Sequence, residues 1–409
     1  MQRYMGNHIR IIQGESGYAL YDLYKGNVYH LNIEAYNVIQ RYLSGESKFD
    51  EDEQVIIDTL DEIEFTIDLI EKRMTDVSPK LSYVWLEITE ACNLNCIHCY
   101  GEWGHRLCES ENYLTCSEWK NVIDIIYDLG CRKIQFIGGE PLASSDFYEL
   151  ITYAHKKPMK QIDVFTNGTL INDKLINMFK EVGANIRVSI YGHNSDVHDG
   201  ITGCKGSFDK TVCNVKKMQE IGIPVNIAVV LMHENEKYAT EIEAFISSFG
   251  SHGYDTIRQT TFGTQHKHSI KNVKILSDRY QLKPDFSVKM KEFDYNKKWN
   301  NCWFGKVAIT SKGDIIPCIF ARECIMGNIK SDSIDTITAN VLDMWGISKD
   351  KVDECKICEY RYACHDCRPL AKGLTGNLLA KYPRCCYNPQ SGEWSDIEKI
   401  SLELSNSNE

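Results

Sequence analysis

The chain has 409 residues, room for two to three domains of roughly 100–200 residues each and for a sizeable core. Its 43% hydrophobic and 25% charged residues and its 9 prolines are those of an ordinary soluble globular protein, which excludes disorder and collagen-like repeats. The net charge of −11 comes without a basic stripe, and no run approaches 18 apolar residues, so neither nucleic acid nor a membrane is an expected partner.

The opening residues 1–8 lack the apolar core of a secretory signal, and a cytoplasmic location is expected. Strand formers over 18–24 and 28–31 flank Lys25-Gly26-Asn27, a hairpin-like turn. Asn32 stands in N-cap position before a helix that places Val38, Ile39, Tyr42 and Leu43 on one face. After Gly45, the spacing of Ile56, Leu60, Ile63, Ile67 and Ile70 predicts a second helix. Residues 1–78 read as a small binding module, with a decorative extension as the plainer alternative.

Over 81–262 strand and helix patterns alternate. Strands are expected at 84–88, 133–137, 161–165, 186–190, 225–230 and 255–258, with helices at 117–129, 147–156, 173–181, 208–221 and 237–249. Six βα units predict an α/β fold, a parallel sheet curled into a partial (β/α)6 TIM-like barrel with its chemistry at the C-terminal strand ends. Residues 263–300 are polar and lysine-rich and read as a connector, in which His266 and His268 are either ligands or, more plainly, solvated loop residues. Over 301–390 the pattern changes again. Nine cysteines fall within 85 residues there with little periodicity, as in a cysteine-rich domain organised around metal. The tail, 391–409, turns acidic and serine-rich after Trp394.

The chain's 17 cysteines are its anomaly, because clustered thiols in a long chain without a signal are more often metal ligands than disulfides. The loop after the first barrel strand places Cys92, Cys96 and Cys99 in a C-x3-C-x2-C pattern. Three thiolates in one short loop can face three irons of one cube and leave the fourth open for a small molecule. Structural zinc prefers four ligands in C-x2-C pairs, so iron–sulfur is the better reading. Three further strand ends fall in register with this loop: Gly138-Gly139-Glu140-Pro141, Thr166-Asn167-Gly168, and Ser189-Ile190-Tyr191-Gly192. Paired glycines let backbone polar groups approach a ligand closely.

On these residues the segment 81–262 resembles the radical S-adenosylmethionine (SAM) superfamily. The resemblance implies that Cys92, Cys96 and Cys99 hold a [4Fe–4S] cluster whose open iron chelates the amino and carboxylate groups of SAM, and whose reduction yields a 5′-deoxyadenosyl radical. It implies that the Gly138-Gly139-Glu140 strand end contacts the methionine amino group, that Ser189 reaches ribose or carboxylate, and that His98 lies near adenine. Tyr100, Thr166 and Asn167 complete the expected cofactor-binding set. Where many relatives anchor the carboxylate with an arginine, this chain has Thr202, with Arg187 or Arg258 as substitutes.

The later cysteines resemble the SPASM extension of radical SAM enzymes, which binds two auxiliary [4Fe–4S] clusters, for three clusters in all. Carried over, Cys302, Cys318 and Cys367 belong to the first, and Cys355, Cys358, Cys364 and Cys385 to the second. Cys385 is preferred to Cys386 because Cys-x-Tyr-Asn-Pro resembles the ending of related peptide maturases. A zinc ribbon accounts for the two C-x2-C pairs but leaves Cys302, Cys318 and Cys385 unexplained. The first auxiliary cluster is closed either by Cys324 or by nothing, and an open iron would bind a substrate thiolate and position its sulfur. Cys108, Cys116, Cys131, Cys204 and Cys213 match neither group and read as buried, inert thiols.

Ahead of such a barrel, the N-terminal module resembles the winged-helix-like recognition element of ribosomal-peptide (RiPP) maturases, where a leader peptide adds a strand to a sheet edge. The implied function is installation of a cross-link in a precursor peptide carrying a leader segment: thioether first, carbon–carbon or carbon–oxygen otherwise. Flavodoxin or ferredoxin is the implied electron donor. The alternatives are a sulfatase-type maturase forming formylglycine and a zinc-stabilised interaction protein. Ile319-Phe320 after Pro317-Cys318 counts against the first, since those enzymes tend to have an acidic residue there.

Overall fold

The computed structural model describes residues 2–70, 78–103, 112–257, 265–272, 275 and 286–395. The winged-helix-like module takes the form of three strands leading into two helices. β1 (Ile9–Gln13), β2 (Tyr18–Asp22) and β3 (Asn27–Leu31) form an antiparallel meander, followed by α1 (Ile33–Ser44) and α2 (Glu51–Glu62). β1 is absent from the sequence expectation because an Ile9-Arg10-Ile11 alternation is too short to stand out; its pairing with β2 makes it a strand. The Asn32 side chain accepts the Ala35 N–H at 2.8 Å, the expected N-cap. The second helix ends at Glu62, short of the expected Ile70. Glu64 turns left-handed at φ 54°, Phe65 folds back with its N–H on the Leu60 carbonyl, and the buried Phe65 ring competes successfully with further helix. Ile67 is left exposed.

Nine strands form the central sheet, in the order β12-β11-β10-β4-β5-β6-β7-β8-β9. β4 (Tyr83–Thr89), β5 (Lys133–Gly138), β6 (Gln161–Thr166), β7 (Asn185–Ser189), β8 (Val225–Leu231) and β9 (His252–Thr256) are parallel neighbours, as six βα units require. β9 starts earlier than the expected 255–258: His252-Gly253-Tyr254 reads poorly as a strand, yet its pairing with Ile227–Val229 recruits it. Arg258 lies outside the described residues. The outer faces of the strands (Val84, Leu86, Phe136, Val164, Ile186 and Val188) pack into the main core with α3 (Cys116–Asp128), α4 (Phe147–Lys156) and α5 (Asp173–Val182). α6 (Ser195–Thr202), α7 (Ser207–Glu220) and α8 (Ala239–Ser247) complete the crossovers.

The connector contains α9 (Met290–Asn296). After it, β10 (Lys306–Ile309) joins the barrel sheet in parallel with β4, and β11 (Asp314–Ile316) and β12 (Gly327–Asn328) extend it antiparallel. α10 (Ile334–Trp345), α11 (Arg368–Thr375) and the short pair β13 (Tyr387–Asn388) and β14 (Glu393–Trp394) follow. The N-terminal meander is seated on this region. Leu20 points into the module's own core, while Ala19, Tyr21 and Leu23 pack with Val288, Phe293, Tyr360 and Tyr387. The Glu15 N–H reaches the Ile357 carbonyl at 2.9 Å, and the Tyr21 hydroxyl donates to the Glu359 carbonyl at 2.7 Å.

Candidate functional site

One cavity of about 480 Å³ opens at the C-terminal ends of the barrel strands. It is lined by the side chains or backbone of all eleven residues expected there, Cys92, Cys96, His98, Cys99, Tyr100, Gly138, Gly139, Glu140, Thr166, Asn167 and Ser189. The volume lies within the range of small-molecule sites.

The loop bearing the three cysteines is tied down from two sides. Its backbone lies across the end of α6, with the Asn95 N–H on the Thr202 carbonyl at 2.9 Å and the Ile97 N–H on the Ile201 carbonyl at 3.0 Å. Its opening meets the end of β5, where the Gly139 N–H reaches the Thr89 carbonyl at 2.8 Å and the Glu140 N–H the Ala91 carbonyl at 2.7 Å. This approach explains the glycines. A Cβ on Gly138 would lie 2.3 Å from the Thr89 carbonyl oxygen, and one on Gly139 would lie 2.4 Å from that of Ala91.

Glu140 is fully buried, and its carboxylate accepts from the Thr166 hydroxyl (2.7 Å), the Asn167 N–H (2.7 Å) and the Leu142 N–H (3.0 Å). Burial pushes its carboxyl up to about 7 even against these three bonds. The Asn167 amide donates to Asn93 of the cysteine loop at 3.0 Å, and its carbonyl accepts from Thr169, which in turn accepts from Asn93. β5, β6 and the cysteine loop are thereby one hydrogen-bonded unit. On the far side His98 sits edge-on to Tyr191, ring centroids 4.4 Å apart, and burial drives its imidazole down to about 3. Its Nδ1 and the Tyr100 hydroxyl are buried without a hydrogen-bond partner.

Thr202 is not a free anchor. It is buried, shares a hydrogen bond with Ser207 at 2.7 Å, and its carbonyl supports the cysteine loop. Arg187 lines the cavity and pairs at 3.7 Å with the buried Asp163. Two residues that the sequence reading missed shape the site. The Asn235 side chain, fully buried, donates to the Tyr191 and Val230 carbonyls (2.9 and 3.0 Å) and accepts the Met232 N–H (2.8 Å), fastening the ends of β7 and β8. Asn235→Ala is expected to cost about 1–3 kcal/mol for each buried group left unpaired. It should lower the melting temperature and weaken binding of the cavity's ligand; wild-type values for both would contradict this role. Arg322, from the segment after β11, reaches back to Glu87 on β4 with two bonds of 2.8 and 2.9 Å. It brings Ile319 and Phe320 to the cavity wall.

The sixteen described cysteines are free thiols. Burial pushes Cys92 up to about 12, with Glu140 and Cys99 adding to it, and raises Cys96, with Cys92, Cys99 and Cys204 adding. Thiols placed this way are stable as thiolates only beside a strongly cationic partner, which is what an iron–sulfur core is. Among the described residues no three His, Cys, Asp or Glu side chains converge as ligands of a single ion would. A cube taking one thiolate per iron needs no such convergence.

The later cysteines separate into two neighbourhoods. Cys318 is pushed up to about 12 by burial, then by Cys302 and Cys367. Burial also raises Cys364, to about 12, and Cys355 and Cys358, and Cys385 acts on each of the three. Cys386 feels Cys385 and Lys381, and Cys324 feels Lys372 and Glu323 while packing on the same core cluster as Cys318. Cys131 is buried, as expected of an inert thiol, but Cys213 is exposed, because it lies on the outer face of α7. Cys108 lies outside the described residues, as do the His266 side chain and the tail from 396 on. His268 bonds Glu234.

Residues 86–246 match the radical SAM superfamily and residues 301–368 the SPASM iron–sulfur cluster-binding domain. An AdoMet-dependent heme synthase of Methanosarcina barkeri is 25% identical over 74% of this chain and 95% of its own length. The subtilosin biosynthesis protein AlbA of Bacillus subtilis is 28% identical over 76% of this chain and 71% of its own. Among solved structures, SuiB of Streptococcus suis bound to precursor peptide SuiA superimposes with a TM-score of 0.55 at 16% identity, covering 94% of this chain and 98% of that one. The two matched domains imply [4Fe–4S] chemistry and SAM as cofactors. Among the described residues no helix is long and apolar enough to cross a membrane. The chain thus carries a radical SAM domain over residues 86–246, followed by a SPASM iron–sulfur cluster-binding domain over residues 301–368.

Proposed function

We propose that the chain is a RiPP maturase that cross-links a ribosomally made precursor peptide. One observation carries this reading: the cavity lined by the loop of Cys92, Cys96 and Cys99 is also lined by Ile319 and Phe320, directly after Cys318, and Phe320 packs against Tyr100 at the end of that loop. A peptide side chain in that space would lie between the radical source and the auxiliary domain. When bound at the three cysteines, a [4Fe–4S] cluster with SAM on its open iron supplies a 5′-deoxyadenosyl radical.

The chain's own residues hold and shield the reactants. The end of β5, fixed by Glu140 with Thr166 and Asn167, presents backbone groups to the amino acid part of SAM. Ser189, Tyr191, His98 and Ile257 line the cavity and offer a surface for its nucleoside, with Ile201 and Met232 packed in the core cluster of Tyr191 and Ile257. Tyr100, Trp103 and Phe320 pack as a ring cluster, Tyr100 lying 5.1 and 5.5 Å from the other two, and exclude water from a reactive carbon radical. Cys302, Cys318 and Cys367 would hold the first auxiliary cluster and the group of Cys355, Cys358, Cys364 and Cys385 the second. A first cluster held by these three thiolates alone would be open to a substrate thiolate, which makes a thioether the first product to seek. The SuiB match, to a protein bound to its precursor peptide, is too extensive to leave out the N-terminal module and supports a peptide substrate; an exposed edge of that meander is where a leader segment would add a strand.

Anaerobically reconstituted protein is expected to hold about twelve irons with matching sulfide. It should cleave SAM under reductant and remove two hydrogens per cross-link from a peptide encoded beside its gene. Cys324→Ala is expected to leave the iron count unchanged. Zinc without acid-labile sulfide would overturn the reading, and consumption of a porphyrin instead of the peptide would move it toward the heme synthase relative.

A further inference from the structure

Lysine is almost never buried without a partner. Lys349 is 5% exposed and stands in a charge cluster with Asp366 and Arg368, whose side chains are 1% and 0% exposed. The cluster is unbalanced. Asp366 takes Arg368 Nε at 2.8 Å on Oδ1 and the Asn300 amide at 3.0 Å on Oδ2. Arg368 also donates to the Leu378 and Ala380 carbonyls. Lys349 Nζ is buried and lies 3.2 Å from Asp366 Oδ1, an ion pair on the oxygen that already takes Arg368. Two cations thus share one carboxylate, leaving a surplus positive charge and unused N–H donors in the interior, which is costly unless an anion stands close by.

The second cysteine group is that neighbour. The turn at Lys349–Lys351 runs directly into the turn at Cys355–Ile357, joined by the Val352 N–H on the Lys349 carbonyl and the Lys356 N–H on the Val352 carbonyl. Asp366 lies between Cys364 and Cys367, and the Asn301 amide fixes the Cys364 carbonyl at 2.6 Å. Of the charged groups near Cys355 and Cys364, Lys349 acts most strongly on both; Asp366 opposes it at both, Arg368 assists at Cys355, and Glu359 acts on Cys358.

We propose that Lys349 is a positioning residue whose buried charge sets the reduction potential of the cluster held by Cys355, Cys358, Cys364 and Cys385. This rests on the reading of those four thiols as ligands of one auxiliary cluster. A four-thiolate [4Fe–4S] centre is anionic and gains one more negative charge on reduction, so a fixed cation stabilises the reduced form more than the oxidised one. Lys349 therefore raises the potential and makes this centre a better acceptor of the electron left over when a substrate radical closes its bond. Asp366 and Asn300 hold the cation in place.

Potentiometric titration with EPR detection of full-length, reconstituted wild type, Lys349→Gln and Lys349→Arg tests this. In Lys349→Gln one midpoint should fall by at least tenfold in the reduction equilibrium, about 59 mV for one electron, with the others unmoved. Lys349→Arg should stay within threefold of wild type. Unchanged midpoints in Lys349→Gln, or an equal fall in Lys349→Arg, would overturn the proposal. Should Lys349→Gln fail to load its irons, retention by Lys349→Arg supports a need for the charge, and loss in both variants overturns it. If wild type itself lacks the auxiliary irons, the ligand reading has failed, and that is known before any variant is compared.

Discussion

Cys96→Ala is expected to abolish SAM cleavage and to remove about four irons per chain while leaving the auxiliary centres loaded. The thiol is deeply set, its ionisation opposed by burial and by Cys92 and Cys99 beside it. Such thiols ionise only as a cationic iron–sulfur core binds and offsets the cost, and a core left with two of its three thiolates is not held. The fold should survive, because the loop is clasped by the backbone of Asn95 and Ile97 on the end of α6, and none of those bonds uses the Cys96 side chain. Iron and sulfide analysis, with chromatography for 5′-deoxyadenosine, reads the effect. Cys204→Ala is the matched control: Cys204 also acts on Cys96 but belongs to no three-cysteine loop, and it should behave as wild type. Full iron and full cleavage in Cys96→Ala would remove the basis for a SAM-binding cluster at this loop.

That loop was legible because its logic is local: three thiols within eight residues, and glycines where a strand end presses on it. The β4–β9 strands were legible for the same reason, as short apolar runs separated by helical periods. What escaped depends on partners far along the chain. Asn235 reads as an ordinary turn residue until Tyr191, 44 positions away, supplies a carbonyl for its amide. Asn93 and Asn167 are 74 positions apart, and nothing in either neighbourhood announces the bond between them. β10 is only four residues long, and its parallel mate β4 lies on the far side of the whole barrel sequence, so no periodicity tells that the cysteine-rich region completes the barrel sheet. The end of α2 failed differently. Isoleucines continue at helical spacing past Glu62, but Phe65 gains more by folding back into the module's core than it would as the next helical residue.

The largest loss of stability is expected from Arg322→Ala. Glu87 sits on β4 with its side chain 1% exposed, and Arg322 grips both of its oxygens across 235 positions of sequence. Burial already holds the Glu87 carboxyl above its ordinary value, with Arg322 pulling the other way, so the pair is a costly group kept tolerable by its partner. Removing the arginine strands a carboxylate inside the barrel, at a cost of about 3–5 kcal/mol, or forces it to take up a proton at neutral pH. It also frees the segment that carries Phe320 against Tyr100, and it takes a guanidinium off the Trp103 ring, 5.1 Å away. Replacing both partners separates these effects. Glu87→Gln with Arg322→Met leaves no unpaired charge and should recover most of the lost stability, since apolar replacement of a buried pair is often nearly neutral. It does not restore the strut between the barrel and the auxiliary domain. Denaturant unfolding should therefore place the double variant close to wild type and the single variant well below it. SAM cleavage that runs without modifying the peptide should persist in the double variant, because the cavity wall at Ile319 and Phe320 is no longer held. A single variant as stable as wild type would mean that the Glu87–Arg322 pair does not lock the two domains together.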